Sequence, residues 1–211
     1  MSTALFGSEV VMSGRVPLLV AGVLFVVYPA LRPRGDLTAA GAAAAFASPL
    51  WLVAHLAAVV GFVLVGLGLR ERGRRTEVVW WVGTGLVLPY YGAEALALHV
   101  LGQRTSGEEL VTTAEAIRLS PVAATLFATG LVALAVAAVL VAVHDRAGVV
   151  FAVAMVAFLP QFFAPPVVRV AHGVVLGLGL LLLAVPRRSR PSRRSPVGRE
   201  AVTASVRVPR R

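Results

Sequence analysis

Six long runs of apolar residues, divided by short polar breaks, organise the chain at approximately residues 16–31, 48–69, 78–102, 120–143, 148–164 and 167–185. The apolar residues fall in blocks and not at a spacing of 3.6 or 2. Lipid, and not an internal core alone, is therefore their main solvent. A membrane helix needs about 20 mostly apolar residues, so the pattern predicts an all-α fold: a polytopic bundle of about six transmembrane helices.

The first run follows Arg15 and has the layout of a signal peptide, but cleavage after Ala30 would put the bulky Tyr28 where a small residue is required. The run is expected to be retained as a span. The fifth is irregular, since its clean apolar stretch ends at Leu159 and is followed by Pro160, Gln161 and the Pro165–Pro166 pair. In the third, Pro89 predicts a kink, and Trp80 and Trp81 predict anchors at the membrane interface. The sixth carries Gly173 and Gly177 in the spacing that lets membrane helices approach closely.

The breaks carry the topology. Arg32, Arg34 and Asp36 lie in the first, followed by a flexible, Ala-rich approach to Pro49. The second holds Arg70, Arg72, Arg74 and Arg75. Residues 103–119 form the longest polar segment, where Ser106 and Glu109 fit a capping box and Leu110, Ala114 and Ile117 fall near one face. A short helix on the membrane surface is predicted there. His144 falls in a tight turn. Because cytoplasmic loops are enriched in Arg and Lys, the arginine-rich second break and the C-terminal tail place both termini in the cytoplasm.

Composition sharpens this picture in three ways. Hydrophobic residues make up 58% of the 211 and charged residues 14%, against about 45–50% and about 25% in soluble domains. Cysteine is absent, which removes disulfides, thiolate metal sites and cysteine nucleophiles. Lysine and asparagine are also absent and Ile117 is the only isoleucine, so the residues with AT-rich codons are depleted. That usage points to a GC-rich bacterium and hence to a bacterial plasma membrane.

The net charge of +10 is not spread evenly. Residues 187–211 hold nine arginines against Glu200, which accounts for +8 and leaves the rest of the chain at +2. This Arg/Ser/Pro-rich tail is expected to be disordered and to contact anionic lipid through Arg187, Arg188, Arg190, Arg193 and Arg194. With no aromatic residue in the tail to stack on bases, no nucleic-acid partner is expected.

Candidate chemistry starts from Glu94, a carboxylate inside the third run. Such residues are costly at membrane depth and mark functional sites by default. At about 1.5 Å per helical residue, His55 and Glu94 both lie about 10–12 Å below the outer surface. His99 and His172 lie about 5–8 Å below it on the same scale. Arg169 falls at the rim and Gln161 near it, with Tyr91 in the outer half. Polar residues of several spans thus converge on the outer leaflet.

The expected pocket is His55, Glu94 and His172, with His99, Tyr91, Gln161 and Arg169 around it. Glu94 and His99 are five apart, about 140° around a regular helix, so His99 is assigned to the outer shell unless the helix is distorted. Three readings stay open. The trio binds a metal ion or haem; or it titrates during proton-coupled movement of a small solute; or the polar groups are structural, with Glu94 paired to Arg169 or a tyrosine. Hydrolysis using Ser48, Ser120, Asp36 and the histidines has no nucleophile motif behind it.

Overall fold

The computed structural model describes residues 14–185, and among these every regular element is helical. Six of the helices close a ring. In chain order these are α1 (Arg15–Leu31), α3 (Pro49–Leu69), α4 (Arg74–Gly92), α7 (Pro121–His144), α8 (Val149–Val156) and α9 (Pro166–Ala184). Each packs on the next, and α9 returns to α1. Three of them, α3 with the turn that follows it, α7 and α9, are long and apolar enough to cross a membrane. Valines and leucines such as Val53, Val132, Val153 and Leu181 cover the outside of the ring, as expected where lipid is the solvent.

Starts and stops follow local chemistry. Ser48 Oγ accepts from the Leu50 N–H and Ser120 Oγ from the Ala123 N–H, each with a proline at the first helical position. Both caps satisfy backbone donors that a helix start leaves free. The fifth apolar run is not one helix. α8 has eight residues, roughly 12 Å of rise, and the chain then continues through a turn into a tight helical turn at Pro160–Phe163.

Small residues bring the helices together. A Cβ on Gly177 would lie 2.9 Å from the Gly22 carbonyl oxygen, and one on Gly173 2.6 Å from that of Phe25, so the two glycines of α9 seat it against α1. Inside the ring, Phe25, Phe62, Trp80, Phe151 and Phe158 are fully buried in edge-on and tilted contacts. Trp80 corrects an expectation: it is no interfacial anchor but a core residue whose indole N–H donates to the Phe62 carbonyl at 2.9 Å. Trp81 packs its ring over Gly66.

One end of the ring carries a lid of short helices: α2 (Ala42–Ala47), α5 (Leu98–Arg104) and α6 (Gly107–Arg118). The Ala-rich approach expected to be flexible is therefore partly helical, because Ala42 and Phe46 bury against Leu98, Leu110 and Ala114. α6 forms as the spacing of Leu110 and Ala114 predicts, but the capping box does not. Ser106 makes no bond to the helix, and Gly107, at φ +70°, turns the chain into it instead.

Candidate functional site

Glu94 does not lie on a regular helix. Between α4 and α5 the chain winds through one wide π-helical turn, Ala93–Ala97, four residues beyond Pro89. Proline has no N–H to offer the carbonyl one turn back, and π turns concentrate at functional positions. The turn is held from outside: the Trp51 indole N–H donates to the Glu94 carbonyl oxygen at 2.5 Å.

The Glu94 side chain is 7% exposed and is met by Arg118, the last residue of α6. Arg118 Nε donates to Oε1 at 2.6 Å and Nη2 to Oε2 at 3.1 Å, a two-pronged pairing that fixes both groups. Nη2 also reaches Asp36 Oδ2 at 3.3 Å, and that oxygen accepts from Arg32 Nη2 at 2.7 Å. Arg32 and Arg118 thus balance Asp36 and Glu94. The two guanidiniums stand 5.0 and 5.8 Å from the Trp51 ring centre, and Arg118 is 5.2 Å from that of Phe46. Burial works against charge on Arg118, but Glu94 beside it outweighs that and holds the guanidinium above its ordinary range.

His55 completes the cluster. Its Nδ1 lies 2.8 Å from the Trp51 carbonyl oxygen, so Nδ1 carries a hydrogen and donates it. Nε2 then faces Glu94 Oε2 at 3.5 Å. A lone pair opposite a carboxylate is repulsive, so this contact is favourable only with a proton between the two atoms. Nε2 makes no hydrogen bond among the described residues.

The remaining expected residues divide. Tyr91 is buried 5.7 Å from Tyr28 and 6.3 Å from His55, centre to centre. It lines a cavity of about 140 Å³ with Glu94, Arg118, Asp36, Arg32 and Arg169. A larger cleft of about 260 Å³ adjoins it, sharing Tyr28, Arg32, Asp36 and Arg169 and bounded by Gln161 and the 33–38 loop. His172 does not join His55 and Glu94: its Nε2 donates to the Ala154 carbonyl at 2.8 Å and its ring packs against Phe158, tying α9 to α8. His99 donates from Nδ1 to the Phe46 carbonyl at 2.7 Å and accepts from Gln103 Nε2 at 2.9 Å, tying α5 to α2. Even with the helix distorted, it is a lid contact.

No group of three or more His, Asp or Glu among the described residues is placed to hold a metal ion. The metal-ion donor set expected from His55, Glu94 and His172 is therefore not assembled. The partner of Glu94 is Arg118, not Arg169. Arg169 instead donates from Nε to the Ala164 carbonyl at 2.9 Å and from Nη2 to the Phe162 carbonyl at 2.7 Å. Among the described residues no carboxylate stands within ion-pair distance of it.

The sequence does not assign Arg118, Arg32, Tyr28 or Trp51 to the pocket, and it offers Asp36 only in the hydrolysis reading. Arg32 and Asp36 come from the first break, Arg118 from the third and Glu94 from the third apolar run, and no motif in the sequence links them. The five tail arginines expected to meet anionic lipid lie outside the described residues. Compared with known proteins, the chain matches no protein-family model, no curated protein and no solved structure.

Proposed function

We propose that the protein is a six-span membrane protein of a bacterial plasma membrane, with both termini cytoplasmic, that binds a small anionic group in the outward-facing cleft at the lid end. The observation that carries this reading is Arg169, a guanidinium fixed by two backbone carbonyls at the edge of a cleft and, among the described residues, within ion-pair distance of no carboxylate, Asp36 lining the same cleft without pairing to it. Three guanidiniums and two carboxylates line the inner cavity, so with His55 neutral the site carries one positive charge in excess. Buried charges are tolerated when paired, and a carboxylate or phosphate entering the cleft supplies the missing partner with the planar, two-pronged geometry that arginine favours. Gln161, buried at the same wall, adds an amide donor. The arginine tail, in this reading, holds the cytoplasmic face to anionic lipid.

The experiment is a titration of the full chain in neutral detergent with inorganic phosphate, glycerol phosphate and succinate, read by tryptophan fluorescence, since Trp51 lies under two of the guanidiniums. Saturable binding of at least one of these anions, weakened tenfold or more by Arg169→Gln, is expected. Binding that is absent, or equal in the variant, overturns the proposal.

A second reading rests on the His55–Glu94 contact: anion entry is accompanied by a proton held between those two side chains. Anion affinity in wild type would then change with pH, and Glu94→Gln would abolish the change.

A further inference from the structure

A third cavity, of about 230 Å³, opens on the flank of the ring between α4 and the junction of α6 with α7. Its walls are apolar, with Pro89, Ala93, Val122 and Leu126 among them, and Val122, 71% exposed, stands at the lipid-facing side of α7. Tyr90, Glu94 and Arg118 line both this chamber and the 140 Å³ cavity. The Glu94–Arg118 pair thus borders an apolar chamber on the flank and a cationic cleft at the lid end. Pro89 and Ala93, the first residue of the π turn, line the chamber beside the start of α7. Each space is smaller than the roughly 300 Å³ at which pockets enclose an ordinary ligand, which fits subsites of one larger site.

We infer that the occupant is an anionic lipid: its phosphate rests among Arg32, Arg118 and Arg169, and part of an acyl chain lies in the flank chamber, entering sideways from the membrane. The inference rests on the anion-binding reading of the cleft and adds the class of molecule and its direction of entry. Charge complementarity selects the head group, since the cleft is positive by one. The apolar chamber selects a ligand with a hydrocarbon chain over a free phosphate, which would leave that space unused.

The test titrates phosphatidylglycerol, phosphatidylcholine and glycerol phosphate onto the full chain in neutral detergent, followed by native mass spectrometry. Wild type is compared with Ala123→Phe, which fills the chamber, Val122→Phe, which narrows its mouth from an exposed position, and Arg169→Gln. Phosphatidylglycerol is expected to bind at least tenfold more tightly than phosphatidylcholine and glycerol phosphate. Ala123→Phe should weaken the lipid tenfold and leave glycerol phosphate unchanged, with Val122→Phe acting in the same direction; Arg169→Gln should weaken both. If both chamber variants bind the lipid as wild type does, or glycerol phosphate binds as tightly as the lipid, the lipid inference is overturned while anion binding stands. If Arg169→Gln changes neither ligand, both readings fall together.

Discussion

Replacing Arg118 by methionine removes the guanidinium that touches both buried carboxylates, at nearly constant volume. Asp36 keeps Arg32 at 2.7 Å, but among the described residues Glu94 is left with His55 alone, at 3.5 Å, within ion-pair distance. Glu94 is 5% exposed and Asp36 8%, so water does not replace what is lost. Removing one member of a buried pair costs about 3–5 kcal/mol, whereas replacing both members by neutral groups of similar size is close to neutral. Arg118→Met should therefore cost on the order of 3 kcal/mol, since Asp36 stays compensated. Glu94→Gln alone should cost about 1–2 kcal/mol, because Arg118 retains Asp36. The double variant should fall near the milder single one. The implied coupling is on the order of 3 kcal/mol, at the top of the range for residues in one network. For a chain of this size Arg118→Met then lowers Tm by roughly 6–12 °C. Reversible unfolding in mixed micelles, followed by circular dichroism and tryptophan fluorescence, measures all four corners of the cycle. Simple additivity, or an Arg118→Met protein within about 1 kcal/mol of wild type, would show the cluster to be solvated surface charge.

Three further predictions use other parts of the fold. Gly173→Ala puts a Cβ 2.6 Å from the Phe25 carbonyl oxygen and 2.7 Å from Pro29 Cγ, and should destabilise by about 1–3 kcal/mol. Gly85→Ala, where nothing lies within 4 Å, should stabilise by about 0.5–1 kcal/mol; equal effects at the two sites would contradict the close α1–α9 packing. Trp51→Phe leaves the Glu94 carbonyl without its indole donor and should cost about 1–3 kcal/mol, with faster amide exchange confined to the π turn and its flanks; unchanged exchange there would show that the turn holds itself. Because the chain has no cysteine, single cysteines report topology cleanly. Leu37→Cys and Thr105→Cys should react with an impermeant thiol reagent on intact cells and Gly73→Cys and Ala147→Cys only after lysis, the reverse pattern refuting the orientation.

The long helices were legible because their cause is local. An unbroken apolar run with a Ser-Pro start, as at residues 48–49 and 120–121, yields a helix whatever surrounds it, and α3 and α7 begin there. Glu94 and His55 were legible for the same reason: a charged or imidazole side chain in an apolar run stands out, and the helical rise set the two level. What could not be read was the set of partners. Arg118 lies at the end of a polar segment where an arginine carries no signal, and its role appears only when α6 folds its Leu110–Ala114 face onto Phe46 and Trp51. The sequence joins His172 to His55 because both fall in the outer half, His99 being set aside for its angle to Glu94. Depth says nothing of azimuth, and α9 turns that ring toward α8. Trp80 failed likewise, since tryptophan near a helix start suits an interface and a core equally until a neighbouring carbonyl takes its N–H.

The position of the cluster relative to the aromatic core supports the proposed pocket over a path. Below Glu94 and Arg118 the interior of the ring is occupied by Tyr91, Phe62, Phe158, Trp80 and Phe151, all essentially inaccessible and in mutual ring contact from Tyr91 to Phe62 and onward to Trp80 and Phe151. The buried polar side chain in that region is Thr84, whose hydroxyl has no hydrogen-bond partner among the described residues. A solute that reaches the cleft therefore meets hydrocarbon rather than a continuing line of donors and acceptors, and an ion moving further would lose its hydration with nothing to replace it. Through-movement would require this packed layer to separate. Binding at the lid end requires no such separation, because the guanidiniums are already positioned and the cleft already open. Under the proposed anion reading, a proton held between His55 and Glu94, of which Glu94 lines the inner cavity, would change the charge seen by a bound anion without needing a route to the far side.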